Sequence, residues 1–360
     1  MNYLDIYLDR LSQNLKFLRS KISVESELIC VIKANAYGHG DIKIAKHLEH
    51  HGVNKLAVAN SYEGKKLREN GIKCDIIVFY PDKDELSDII KSSLEPAIYS
   101  KRMLINLVKE LKKQRLTNFP VHLKFNTGLN RLGFKKGEID WILEMLLDTN
   151  IKIKSVYSHL SSSEEKRDNT FSDTQIKIFN QIKNIFSKFN KNIKYHLLNS
   201  SGIYNYPEYQ YDWVRAGISL FGYSNNDEWD KTLLPIAELR TKIIQIHQLE
   251  KNQVVGYNNG WIAKKKTKIA TIPIGHADGI GRFFGNSNAF VQIKNKKAKI
   301  VGDICMDICM VDVSEVNCKE GDEVLIFNKK YPASKFAESG GTISYELLSG
   351  LGNRVIRNYL

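Results

Sequence analysis

The chain has 360 residues, enough for two domains, with 42% hydrophobic and 26% charged residues and a formal net charge of +13. No apolar run approaches the ~20 residues of a membrane-spanning helix, which argues against a membrane protein. The basic clusters Lys264-Lys265-Lys266-Thr267-Lys268 and Lys294-Asn295-Lys296-Lys297-Ala298-Lys299 carry no interleaved aromatics; they read as hairpin-tip or loop lysines rather than a nucleic-acid surface.

The opening Met1-Asn2-Tyr3-Leu4-Asp5-Ile6 has no basic stretch followed by an apolar one, so no secretory leader is expected. From about residue 27 to 225, short apolar runs alternate with amphipathic segments. Strands are expected at 28–33, 55–59, 75–79, 95–99, 120–125, 152–158, 195–198 and 212–216. Helices are expected over Ser61–Asn70, opening on a serine cap and stopped by Gly71, over Lys101–Arg115, and over Thr170–Phe189. Eight strands alternating with helices imply parallel pairing, and the number eight favours closure. The expected fold class is α/β: a (β/α)8 TIM-like barrel over residues 1–228, then a C-terminal all-β domain over 229–360. In the second part, runs such as Lys268–Ile274, Phe290–Ile293, Lys299–Val301, Met310–Val313 and Glu323–Ile326 follow closely, and a last helix is expected at Ile343–Gly350. Cys30, Cys74, Cys305, Cys309 and Cys318 are scattered and odd in number, as reduced thiols of a cytoplasmic protein would be. Cys305 and Cys309 have no second pair or histidine cluster to complete a metal site, so no metal is expected.

Functional residues of such a barrel gather at the carboxyl ends of its strands. Lys33 closes the first apolar run, Leu28-Ile29-Cys30-Val31-Ile32. A low-dielectric setting disfavours its ammonium form, and a neutral amine can form a Schiff base with a carbonyl compound. The fifth strand ends in Lys124-Phe125-Asn126-Thr127-Gly128-Leu129-Asn130-Arg131, the sixth in Ser158-His159, the seventh in Asn199-Ser200, and the eighth in Arg215-Ala216-Gly217-Ile218. Alone, Arg131 reads as a solvated loop arginine, His159 as a satisfied core histidine, Gly217 as a turn and Tyr37 as a strand-end aromatic. Their recurrence at successive strand ends is the argument.

The decapeptide Val31-Ile32-Lys33-Ala34-Asn35-Ala36-Tyr37-Gly38-His39-Gly40, with the strand-end set and the later pieces Gly275-His276-Ala277-Asp278-Gly279, Gly302-Asp303-Ile304-Cys305-Met306-Asp307 and Thr342-Ile343-Ser344-Tyr345-Glu346, resembles the alanine racemase family over nearly the whole chain. The resemblance implies a barrel that binds pyridoxal 5'-phosphate (PLP), a β domain that completes the partner's active site in a homodimer, and packing of the first few residues against that second domain. Lys33 would carry PLP and act as one base. Tyr37, Tyr345, Ser200 and the backbone N–H groups of Gly217 and Ile218 would hold the phosphate, with Asn199 also on the cofactor. Arg215 would face the pyridine nitrogen, keeping it unprotonated because a guanidinium does not give up its proton. His159, among the cofactor-binding residues, would support both Arg215 and the second base, Arg131 would contact the cofactor oxygen or the substrate carboxylate, and the Met306 N–H would meet that carboxylate from the partner chain. In many members the lysine matching Lys124 is carbamylated; an ordinary strand lysine is the other reading.

Two positions depart from the family. Its Gly-Tyr-Ala-Asp-Gly motif reads Gly275-His276-Ala277-Asp278-Gly279 here, so His276 stands where the second base, a tyrosine, is expected. Histidine's unperturbed pKa of about 6.5 suits two-way proton traffic better than tyrosine's of about 10, though its reach is shorter; Tyr257 is the nearest stand-in. Asn126 stands where aspartate is frequent. The implied function is interconversion of L- and D-alanine by two-base proton transfer, with Lys33 and His276 on opposite faces, supplying D-alanine for peptidoglycan. A racemase for another amino acid such as serine, a retro-aldol enzyme on a β-hydroxy amino acid, and a non-catalytic PLP-binding protein are the alternatives.

Overall fold

The computed structural model describes residues 1–147, 149, 151–164, 170–224 and 227–360. Strand β1 (Tyr3–Ile6) comes first, followed by β2 (Glu27–Val31), β3 (Lys55–Val58), β4 (Asp75–Val78), β5 (Glu95–Ile98), β6 (Phe119–Lys124), β7 (Ile151–Tyr157), β8 (Lys194–His196) and β9 (Trp213–Ala216). β2 to β9 pair in parallel and close into a barrel. These strands are buried on both faces, so they read as unbroken apolar runs; Leu28, Ile29, Cys30 and Val31 in β2 are all buried. Helices cover the outside with one apolar stripe each. The helix Lys101–Gln114 buries Met103, Leu104, Leu107, Val108 and Leu111, and its Ser100 cap accepts from the Met103 N–H at 3.2 Å.

β10 (Ala237–Lys242), β11 (Gln245–Leu249), β12 (Val254–Val255), β13 (Trp261–Ile262), β14 (Thr267–Ile272), β15 (Phe290–Ile293), β16 (Lys296–Val301), β17 (Cys309–Asp312), β18 (Glu323–Phe327) and β19 (Ile356–Tyr359) follow. Nine strands form one sheet in the order β11-β14-β17-β16-β15-β18-β10-β1-β19. β1 therefore leaves the barrel and lies antiparallel to β10 and parallel to β19. Asp5 ties the three together, accepting from Arg240 and from Asn358 Nδ2 at 3.0 Å.

Several expectations need correction. The second part is mostly β: besides the expected helix, which spans Ser344–Ser349 and buries Ser344, Leu347 and Leu348, it holds the helix Ala333–Ser339, which buries Ala333, Phe336 and Ala337 at the same i, i+3, i+4 spacing. The helix after β3 is capped by Asn60, whose side chain accepts from the Glu63 N–H, and Ser61 is its first residue. Lys296 to Lys299 belong to β16, and only Lys294 and Asn295 turn the hairpin. β2 ends at Val31, so Lys33 lies beyond the strand.

Candidate active site

Beyond β2 the chain makes a left-handed turn. Ala34, Asn35, Ala36 and Tyr37 have φ of 53°, 55°, 52° and 52°. Such geometry costs a non-glycine residue roughly 1–2 kcal/mol, so tertiary bonds must hold it. Glu63 accepts from the N–H of Ala34 at 2.7 Å and of Ala59 at 2.8 Å, tying the turn to the end of β3. The Asn35 side chain accepts from the Asp41 N–H at 3.1 Å. Arg357 donates to the Gly38 carbonyl and Tyr359 to that of His39, each at 3.0 Å, so β19 grips the turn from the far end of the chain. Gly38 has φ of 85°, and a Cβ there would lie 2.0 Å from the Leu348 carbonyl oxygen.

This turn aims Lys33 and Tyr37 into a cavity of about 280 Å³ at the carboxyl ends of the barrel strands. Lys124, Arg131, His159, Asn199, Ser200, Arg215, Gly217 and Ile218 line it, and Tyr345 enters from the helix Ser344–Ser349 of the same chain. Phe79, Tyr80, Leu132 and Tyr157, which the sequence reading did not assign, line it too. Among the described residues no Asp or Glu lines it, whereas two lysines and two arginines do. Burial, reinforced by the Arg131 charge and partly opposed by Glu63, lowers the pKa of the Lys33 ammonium. Burial, with the charges of Arg131, Arg215 and Lys33, takes Lys124 down to about 8. Its ammonium has no hydrogen-bond or salt-bridge partner among the described residues and sits 5.8 Å over the Tyr157 ring.

Arg215 is buried. Its Nη1 donates to His196 Nδ1 at 2.6 Å, and its Nη2 faces the carbonyls of Ser158 at 2.8 Å and Leu197 at 2.7 Å and His159 Nδ1 at 3.2 Å. Burial and then the Arg215 charge hold His159 and His196 well below the usual imidazole pKa, so both rings are neutral. The Gly217 N–H donates to Ser200 Oγ at 3.0 Å, which leaves the Ser200 hydroxyl proton available to a ligand. Asn199 uses its side-chain oxygen to cap the helix Ser200–Asn205. A Cβ on Gly217 would lie 2.3 Å from Tyr37 Oη, so only glycine lets these walls meet. Asn126 does not reach the cations: its Oδ1 accepts from the N–H of Gly128 at 3.1 Å and Asn130 at 2.9 Å and shapes the loop before Arg131.

His276 and Met306 are not in this cavity. They sit on neighbouring loops of the large sheet, with both side chains exposed. The loops are joined by the His276 N–H to the Cys305 carbonyl and the Ala277 N–H to the Met306 carbonyl, each at 3.0 Å. Arg354 clamps them by donating to both Asp278 oxygens at 3.0 Å and to Asp307 at 2.6 Å.

A closed parallel barrel with a lysine-bearing cavity at its strand carboxyl ends has the site where barrel enzymes place their catalytic residues. Residues 6–225 match the family description "alanine racemase, N-terminal domain", and residues 236–359 match "alanine racemase, C-terminal domain". The chain belongs to the alanine racemase family. It is similar to the alanine racemase of Clostridium novyi (35% identity over 99% of this chain and 94% of that one) and to that of Clostridium kluyveri (37%, over 99% and 93%). Among solved structures, the alanine racemase of Clostridium difficile 630 superposes with a TM-score of 0.93 at 31% identity, covering 100% of this chain and 95% of that one. The Bartonella henselae enzyme, which carries covalently bound pyridoxal phosphate, superposes with a TM-score of 0.89 at 26% identity, covering 100% and 99%.

Proposed function

We propose that the chain is a PLP-dependent alanine racemase that works as a homodimer in the cytoplasm. The observation that carries the reading is Lys33, depressed in pKa and aimed into a cavity that it shares with Lys124, Arg131 and Arg215 and, among the described residues, with no carboxylate. The residues fit the cofactor. Among the described residues Tyr157 Oη is buried there without a hydrogen-bond partner and the Ser200 hydroxyl proton is unused, and Gly217 leaves room that any Cβ would fill.

PLP, when bound, supplies an aldehyde for capture of the substrate amine and a π-system that makes the Cα proton removable. Lys33 would hold it. Tyr37, Tyr345, Ser200 and the backbone N–H of Ile218 would take the phosphate, with the Gly217 N–H acting through Ser200. Arg215 would present a donor to the ring nitrogen, positioned by Ser158, Leu197, His159 and His196. Arg131 would attract the substrate carboxylate. A single amine reaches only one face of a planar Cα, so Lys33 would move the proton on that face alone. The other face needs a second group, and His276 of the partner subunit is our candidate, with Met306 of the partner subunit beside it. Their exposure on clamped loops outside their own cavity supports a role in a neighbour's site. The five free thiols support a reducing compartment.

The purified chain with PLP should absorb near ~420 nm, and borohydride should fix the label on Lys33. Chiral chromatography should show L-alanine converted to the D form. In His276→Ala, racemisation should fall by roughly 10²- to 10⁴-fold, while solvent-deuterium exchange into D-alanine, driven by Lys33, should persist. Undiminished racemisation in that variant refutes the assignment of the second base.

A further inference from the structure

Behind Arg215 a buried polar chain crosses the barrel interior. His196 Nε2 lies 2.9 Å from Ser155 Oγ, and Ser155 Oγ lies 2.7 Å from His122 Nδ1. His122 Nε2 lies 3.0 Å from Glu95 Oε2, and Glu95 Oε1 accepts from Lys154, which also reaches Asp75. His196, Ser155 and His122 are fully buried. The chain depends on a bulge in β7: Val121 pairs with Ile153 and His122 with Ser155, so Lys154 is the extra residue. Consecutive residues Lys154 and Ser155 thereby both reach members of the chain.

The proton order along it follows from its two ends. A guanidinium only donates, so His196 Nδ1 must be the acceptor and Nε2 carries the hydrogen. That hydrogen goes to Ser155 Oγ, whose own proton then goes to His122 Nδ1. His122 Nε2–H donates to Glu95, an ionised carboxylate that only accepts. Burial would raise the Glu95 pKa, but the hydrogen bonds from His122 and Lys154 and the Lys154 charge pull it down, so the carboxylate is ionised. In the reversed order, Ser155 donates to His196 and an N–H on Nδ1 faces the Arg215 donor at 2.6 Å. A cationic His122 would donate from Nδ1 as well, so the serine proton would either turn to His196, with the same conflict, or be left without an acceptor in the network.

We propose that His122 and Ser155 are positioning residues for Arg215: a one-way hydrogen-bond chain anchored at Glu95 fixes the His196 tautomer and keeps its Nδ1 lone pair on the guanidinium. The catalytic consequence rests on the function given above; the tautomers do not.

The test is ¹⁵N-histidine NMR on the full chain, with and without bound PLP, near neutral pH. His196 and His122 should both be neutral with the hydrogen on Nε2. A cationic His122, or an Nδ1–H tautomer at either ring, overturns the proposal whatever reaction the protein catalyses. In His122→Phe the serine proton loses its acceptor and can turn to His196. An Nδ1–H population of His196 should then appear, and kcat for alanine racemisation should fall roughly tenfold with KM nearly unchanged, as expected for a small misplacement of a positioning group. His122→Gln offers both an acceptor and a donor and should restore most of the rate. Adding Ser155→Ala to His122→Phe removes the inverting hydroxyl and should return His196 to Nε2–H. An unaltered His196 tautomer in a folded His122→Phe protein overturns the proposal.

Discussion

At Lys124 a cation is buried among cations. Its folded-state pKa of about 8 lies below the 10.5 of free lysine. Between those values the unfolded chain binds more protons, so stability rises with pH through that window; below about pH 8 the full penalty of burying the charge applies. The shift corresponds to about 3 kcal/mol. In CO₂-free buffer and without cofactor, Lys124→Met should therefore be more stable than the parent by about 1–3 kcal/mol near pH 7, and the advantage should vanish above about pH 10.5, read by urea unfolding. The same depressed pKa makes the amine open to carbamylation, which would place an anion between Arg131 and Arg215. ¹³C-bicarbonate should then give a carbamate resonance that Lys124→Met lacks, and its absence from the parent protein leaves Lys124 an ordinary lysine.

Among the elements, the left-handed turn from Ala34 to Tyr37 carries the most concentrated conformational cost. Gly38→Ala combines an unfavourable φ with a collision against the Leu348 backbone, neither of which a side-chain rotation relieves. A loss of about 2–4 kcal/mol in urea unfolding is expected, together with weaker PLP retention. Sequence alone did not reveal this turn, because its residues are alanine, asparagine and tyrosine and no glycine marks the positive φ values until Gly38. The barrel strands were legible to within a residue or two, since parallel strands covered on both faces are continuous apolar runs. Lys33, Arg215 and Ser200 were legible from motifs at strand ends. His122, Ser155 and Glu95 were not: they meet only through the parallel register and the bulge at Lys154, which no local pattern encodes. Glu63 was equally hidden, its role set by two backbone amides on different elements.

At the scale of the whole molecule, β1 is the strand that knits the chain. It lies between β10 and β19, and β19 supplies Arg357 and Tyr359 to the Lys33 turn. Deleting residues 1–6 removes the strand that pairs with β19, its only neighbour in the sheet among the described residues. The prediction is that PLP is lost before the barrel melts: the ~420 nm band should weaken at denaturant concentrations where barrel circular dichroism is intact. Simultaneous loss of both signals would show that barrel and sheet unfold as one unit.

The contact between Arg357 and Gly38 spans 319 residues. Lys33 is therefore translated long before the strand that grips its turn. Capture of the aldehyde by the growing chain is expected to wait until β19 has docked.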